Sequence, residues 1–306
     1  MKIEIFPNKT VGWSQFVTTH PRFSVGLDGY VAGPPMYSED TLHANFNHHE
    51  NVNRLATRCT ASQVAMAIKQ GFLSAFAPDE ITLYVNDCDQ DVCTALWLFK
   101  NWERVSGQKS EPLISRLVFN VDMLDTCAGA FPIDPSARIM QETGWIFEPY
   151  TDARLSGKVL SASSRDMETI IDAVLGRIDA YCLGQGGRKK PDDRYDVLYR
   201  SDRWALVREY GNEARTAMRR DGIQSFVSLR GEANGRFIYS VGNLTPFGGI
   251  HLACLYDALN AAEQIFNTDA NRWGGSDSCG GSPRDGGSSL SPSQLQDMVN
   301  GFLAGV

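Results

Sequence analysis

The sequence predicts an α/β protein: a mostly parallel sheet flanked by helices, with a second, smaller α/β domain following it. Three observations predict it. Apolar, β-branched runs alternate with helical patterns through the first half of the chain. Those runs end in acids, amides and histidines, the residue types that open sheets carry beyond their carboxyl strand ends. Beyond Pro149 the character changes to charged helical stretches, a hairpin pattern and a glycine-rich segment.

Taken in order, Met1–Phe6 alternates like a strand and lacks the apolar stretch of a signal peptide. Phe23–Leu27 reads as a strand followed by Asp28-Gly29, and Leu42–Phe46 leads into Asn47-His48-His49-Glu50. A helix opens at Thr60, which has capping-box spacing to Gln63, and closes at Gly71. Ile81–Val85 is β-branched and aromatic, a strand, and Asp87-Cys88-Asp89-Gln90-Asp91 follows it directly. Val92, Ala95, Leu96 and Phe99 repeat at helical spacing. Leu117–Val121 is expected as another strand, ending in Asp122-Met123-Leu124-Asp125.

In the second half, Met167–Ile178 is helical in pattern and 184–194 is a polar loop. Ser201–Arg220 is expected as one charged helix, then strands at Ile223–Leu229 and Arg236–Val241, then a helix over His251–Phe266. The glycine-rich segment 274–288 precedes a last helix with Ser291 as N-cap and Pro292 at its first position. This gives three parts: an α/β domain over 1–150, a helical connector over 151–200, and a smaller C-terminal α/β domain over 201–306.

Composition narrows the function classes. A formal charge of −7 over 306 residues gives no global basic field for long duplex nucleic acid. The seven cysteines are scattered without a CxxC pair, as in a reduced cytoplasmic protein and unlike a disulfide framework or zinc ribbon. No run approaches the roughly 18 apolar residues of a membrane span, so no membrane partner is expected.

The chemistry concentrates at strand ends. One Asp on a turn can be a helix cap and nothing more. Three acids two residues apart repel one another unless a cation neutralises them. In a parallel sheet all carboxyl ends share an edge, so Asp28, His48, Asp87, Asp89, Asp91 and Asp122 are candidate ligands of one metal centre. Carboxylates with imidazole suit Mn²⁺, Fe²⁺ or Mg²⁺, with Mn²⁺ the first candidate and Mg²⁺ the next. Two such ions roughly 3.5–4 Å apart are a common solution for phosphoester hydrolysis. Adjacent histidines on a strand point to opposite faces, so the His48-His49 pair is either incidental or, beside the acidic turn, functional, with His49 as a second metal ligand or a phosphate contact. His20 and His43 read as surface residues. The 274–288 segment is either a flexible linker or a phosphate grip, since glycine amides approach anions closely and Arg284 is a bidentate donor. His251, after Phe247-Gly248-Gly249-Ile250, is either a second glycine-loop histidine reaching into a cleft or a structural residue at a helix start.

These residues resemble the DHH phosphoesterase superfamily. Asn47-His48-His49 is similar to its Asp-His-His signature, with Asn for Asp, and Asp87-Cys88-Asp89-Gln90-Asp91 to its D-x-D-x-D turn. Asp28-Gly29 resembles its isolated strand-end Asp, and Thr60-Ala61-Ser62 its small-residue motif. Trp273-Gly274-Gly275-Ser276 and Gly280-Gly281-Ser282-Pro283-Arg284 resemble the glycine loop of its associated DHHA1 domain. Here the His-His motif precedes the acidic turn, Val85 stands where a His often opens that turn, and Ser276 stands where the glycine loop carries His. The resemblance implies a metal-dependent phosphoesterase acting on a small phosphorylated substrate or short single-stranded oligonucleotide. Catalysis would fall to His48, His49, Asp89 and Asp91, and substrate binding to Gly274, Gly275, Ser276 and Arg284. A homodimer is allowed. The alternative is a catalytically impaired nucleotide- or phosphate-binding descendant of the same family.

Overall fold

Short apolar runs pair in parallel to build the first sheet. Its strands are β1 (Lys2–Ile5), β2 (Ser24–Leu27), β3 (Met36–Ser38), β4 (His43–Phe46) and β5 (Thr82–Val85). Their order is β1-β5-β2-β4-β3, parallel throughout except for the antiparallel edge strand β3. Every residue of the central strand β2 is buried, as expected of a parallel sheet covered on both faces. The computed structural model describes residues 1–129, 131–245, 250–266, 269 and 271–305. The glycines at 248–249 therefore lie outside the described residues.

The chain divides into two compact units, 1–126 with 136–190, and 127–135 with 191–306. In the first unit the main helices are α1 (Thr60–Lys69), α2 (Gln90–Lys100), α3 (Pro112–Thr126) and α4 (Ser164–Cys182). Helix α2 packs against α1, α3 and α4. Its residues Asp91 to Phe99 are all buried, so it is the unit's central helix. Val25, Leu83, Trp97, Leu117 and Ile171 meet in one core, each buried Leu or Ile contributing about 1.5–3 kcal/mol. Residues 164–182, within the expected connector, thus supply α4 to this core.

The second unit has six strands: β6 (Tyr195–Arg200), β7 (Ala205–Glu209), β8 (Ser225–Ala233), β9 (Arg236–Asn243), β10 (Gly274–Gly275) and β11 (Cys279–Gly281). They are ordered β10-β11-β9-β8-β7-β6, and only the β7–β8 pair is parallel, its crossover carrying α5 (Ala214–Arg220). The β8–β9 hairpin turns on Asn234 and Gly235, both at positive φ (53° and 71°), the conformation of a type I′ turn. Helices α6 (Leu252–Ala262) and α7 (Pro292–Ala304) complete the unit, α7 with Ser291 as N-cap in a full capping box. The predicted α/β class with a second sheet domain is therefore what the chain adopts. No described helix is long and apolar enough to cross a membrane.

Several local expectations fail for identifiable reasons. Leu117–Val121 is part of α3, because Ile114, Leu117, Val118, Val121 and Leu124 bury one helical face. Ser201–Arg220 splits into β7 and α5, since Trp204–Val207 forms a buried apolar run. His43 is 2 % exposed, with its ring nitrogens 2.9 Å from the Thr41 carbonyl and 3.2 Å from that of His20.

Candidate metal centre

The carboxyl ends of β2, β4 and β5 lie on one sheet edge, and the turns that leave them carry the polar cluster. Asp28 follows β2 in the left-handed region, at φ +47°. Its Oδ1 accepts from His49 Nε2 at 2.8 Å and Thr60 Oγ1 at 3.1 Å, and lies 3.4 Å from His48 Nε2. Gly29 continues the turn at φ +88°, a conformation that side chains rarely adopt.

Asn47 shapes the turn after β4. Its Oδ1 accepts from the backbone N–H of both His48 (2.8 Å) and His49 (3.1 Å), while its Nδ2 donates to the carbonyls of Val31 and Gly33. An aspartate has no N–H to give those carbonyls, so the amide here is required by the turn. That turn also cancels the strand alternation of the two histidines. Their rings lie 4.5 Å apart, and both approach Asp28.

His48 is fully buried and sits at the centre. Its Nε2 is 2.7 Å from Asp125 Oδ2, 3.4 Å from Asp28 Oδ1 and 3.5 Å from Asp91 Oδ2. Both His48 Nε2 and Asp125 Oδ2 are buried without a hydrogen bond of good geometry. Two groups in close contact but misaligned for a proton are the arrangement of neighbouring ligands around one cation. At metal–ligand lengths near 2.1 Å, such ligands stand about 3 Å apart. His48, Asp91 and Asp125 thus form a buried group that can hold a metal ion, and Asp28, His48 and His49 form a second, sharing His48.

The remaining acids have structural bonds as well. Asp91 closes the N-terminus of α1 from outside, its oxygens accepting from Thr60 N (2.7 Å) and Ala61 N (2.6 Å). Those amides would otherwise be orphaned, and Asp91 does the capping expected of Thr60. Asp89 is the N-cap of α2, accepting from Val92 N at 2.9 Å through Oδ1. Asp87 Oδ1 accepts from Cys88 N at 2.6 Å. Asp122, on the same helix as Asp125, stands apart from both groups and is taken up by structural bonds. Its Oδ1 accepts from Cys59 N at 2.7 Å and its Oδ2 faces Arg58 at 3.3 Å.

Electrostatics follow from this crowding. Burial and then the Asp28 and Asp125 charges push the Asp91 carboxyl up to about 7. Burial, Asp28 and Asp87 push Asp89 well above the usual carboxylate range, and burial with Asp28 raises Asp87. Burial opposes the charged form of His48, yet Asp125 and Asp28 bring it up to about 10. Burial also works against Asp28, but His48 and His49 hold its carboxyl far below the ordinary range. The cluster crowds together more carboxyls than its own donors keep readily ionised. Arg54 adds one cation, donating to His49 Nδ1 at 3.1 Å and to the Asp125 carbonyl at 3.0 Å.

The structure therefore brings together Asp28, His48, His49 and Asp91, with Asp87 and Asp89 beside them. It adds Asp125, which the strand reading of 117–121 hid. Read as a helix, Asp122 and Asp125 fall three residues apart on one face, which was the available signal.

The glycine segment of the second unit is built as sheet. Gly274 and Gly275 pair with Gly281 and Gly280. A Cβ on Gly280 would come within 2.3 Å of both the Gly274 carbonyl and the Tyr256 hydroxyl, so close strand packing itself requires glycine. Ser276 closes the turn, its N donating to the Cys279 carbonyl at 2.7 Å and its Oγ accepting from Ser278 N and Cys279 N. Arg284 is exposed. No family model, curated protein or solved structure matches the chain.

Proposed function

We propose that the chain is a divalent-metal-dependent phosphoesterase with its centre on His48. One observation carries this reading: His48 Nε2 and Asp125 Oδ2 are buried against each other, without hydrogen bonds, among further carboxylates. His48, Asp91 and Asp125 would hold the ion, with Asp28 beside them. Hard oxygens with one imidazole favour Mn²⁺, then Mg²⁺. A divalent cation there would supply Lewis-acid activation of water and offset charge on the ester oxygens.

The chain's own residues supply the rest. Asp28 and Arg54 fix the His49 ring between them, and its side chain is 38 % exposed, so a proton can pass between that ring and solvent. Asp89 and Asp87 each accept a backbone amide through Oδ1 and add two further carboxyl groups beside the centre. The formal charge of −7 favours a small phosphorylated substrate or short single-stranded oligonucleotide over long duplexes. The DHH-like motifs at Asp28, His48-His49 and Asp87–Asp91 support the same reaction class.

The test is metal content of the purified chain, together with release of nitrophenolate from bis(p-nitrophenyl) phosphate in Mn²⁺. The expected result is bound metal and turnover in the wild type, both lost in His48→Ala and Asp125→Ala. Wild-type turnover by both variants would overturn the reading.

A further inference from the structure

A second, unrelated site lies in the second unit, where the only parallel pair of its described sheet comes apart. Strands β7 and β8 pair through Ala205–Phe226, Leu206–Val227 and Val207–Ser228 and then stop. Just beyond, the β8–β9 register shifts between Leu229 and Gly231, an irregularity next to the point where the β7–β8 pairing ends. The gap is a cavity of about 320 Å³ lined by Arg208, Glu209, Tyr210, Leu229, Arg230 and Glu232, with Gly231 between the last two. It opens at the carboxyl ends of two adjacent parallel strands, the position where α/β sheets hold ligands.

Glu209 gives this cavity its chemistry. Its side chain is only 6 % exposed. Oε2 lies 3.4 Å from Arg215 Nε and 3.2 Å from Arg230 Nη1, whereas Oε1 is buried with no partner. An anionic oxygen left without a donor is unfavourable, so an N–H brought by a ligand is favoured there. Arg215 cannot turn to supply it: it donates to the Ala128 carbonyl and lies over the Phe226 ring. Arg208 and Arg230 at the exposed rim offer guanidinium donors to an anion. Tyr210 is 46 % exposed, and its hydroxyl donates to Asp196, which fixes an open aromatic face.

We infer that this cavity binds a small molecule that places an N–H group on Glu209 Oε1 and an anionic group on Arg208 and Arg230. A purine mononucleotide and an α-amino acid share that chemistry. The volume lies at the low end of the roughly 300–1,000 Å³ of ligand pockets, which admits one small molecule and excludes an oligomer. The site uses none of the residues around His48 and needs no metal, so it stands or falls apart from the phosphoesterase reading.

The experiment is isothermal titration of the full chain in EDTA with guanosine 5′-monophosphate and, separately, with L-glutamine. Saturable one-to-one binding of the nucleotide identifies it as the source, and saturable binding of glutamine identifies the amino acid. In either case Glu209→Gln, which keeps the shape but removes the anionic acceptor, should weaken binding roughly tenfold or more. Arg208→Met tests the rim independently, because Arg208 is exposed and its replacement leaves the core intact. No saturable binding of either ligand, or binding indifferent to both substitutions, overturns the inference.

Discussion

Asp91 in the first unit and Glu263 in the second are both carboxylates whose burial works against the charged form, yet they titrate in opposite directions. Glu263 is surrounded by donors: Ser289 N and Oγ reach Oε1 at 2.6 and 2.8 Å, and Trp273 Nε1 and Ser288 Oγ reach Oε2 at 2.5 and 2.7 Å. Burial alone would push its carboxyl up, but those donors hold it below the ordinary value. Asp91 accepts two backbone amides and still rises to about 7, first because it is fully buried where Glu263 is only partly so, and then because Asp28 and Asp125 share its space. A buried acid that ties the fold together brings its donors with it. The acids around His48 lack enough of them, which is why a cation is the economical partner.

The largest test of that contrast removes the central ligand. His48→Ala should abolish Mn²⁺ uptake and lower diester hydrolysis by roughly a hundredfold or more, measured by metal analysis and initial rates. Next is Asn47→Asp. If the position were a lapsed ligand, the acid would tighten metal binding. The bonds to Val31 and Gly33 predict instead a loss of about 2–4 kcal/mol in denaturant unfolding, from two lost hydrogen bonds and a new buried charge, although Asn45 Nδ2 still donates to the Val31 carbonyl.

Glu263→Gln probes the saturated acid. At neutral pH it should cost about 2–3 kcal/mol, because charge-assisted bonds are lost. The native carboxyl is depressed relative to the unfolded chain, so its contribution is present above the unfolded value and fades as pH falls through the native one. Unfolding curves of wild type and variant should therefore converge in acid and separate towards pH 7. A constant gap at all pH values would mean that Glu263 acts by packing alone. The smallest effect is expected from Gly280→Ala, about 1–3 kcal/mol in thermal unfolding, as the added methyl meets Tyr256 and the Gly274 carbonyl. No cost there would restore the flexible-loop reading of the segment.

The centre was legible where it depends on strand ends. Asp28, His48-His49 and Asp87–Asp91 follow apolar runs, and parallel pairing gathers such ends on one edge without further information. Asp125 was not legible, because Leu117–Val121 is β-branched enough to pass for a strand, and only packing on α1 and α2 makes it helix. The reason for Asn47 was hidden too, since its partners Val31 and Gly33 reach it from a short strand and its following turn 14–16 residues away. The glycines at 274–281 carry no sequence mark that separates close strand packing from a mobile loop. That distinction appears only with Tyr256 in place.

The interleaving of the two units has a consequence for biosynthesis. Residues 127–135 belong with 191–306, and Ala128 and Gly129 accept bonds from Arg215 and Thr216. As the chain leaves the ribosome, this short piece emerges long before its partners exist, and the first unit has to close around 136–190 with the piece held out as a loop. A fragment starting at 191 would lack those acceptors from birth. Expression of the second unit by itself should therefore include 127–135, joined by a linker, to give a stable product.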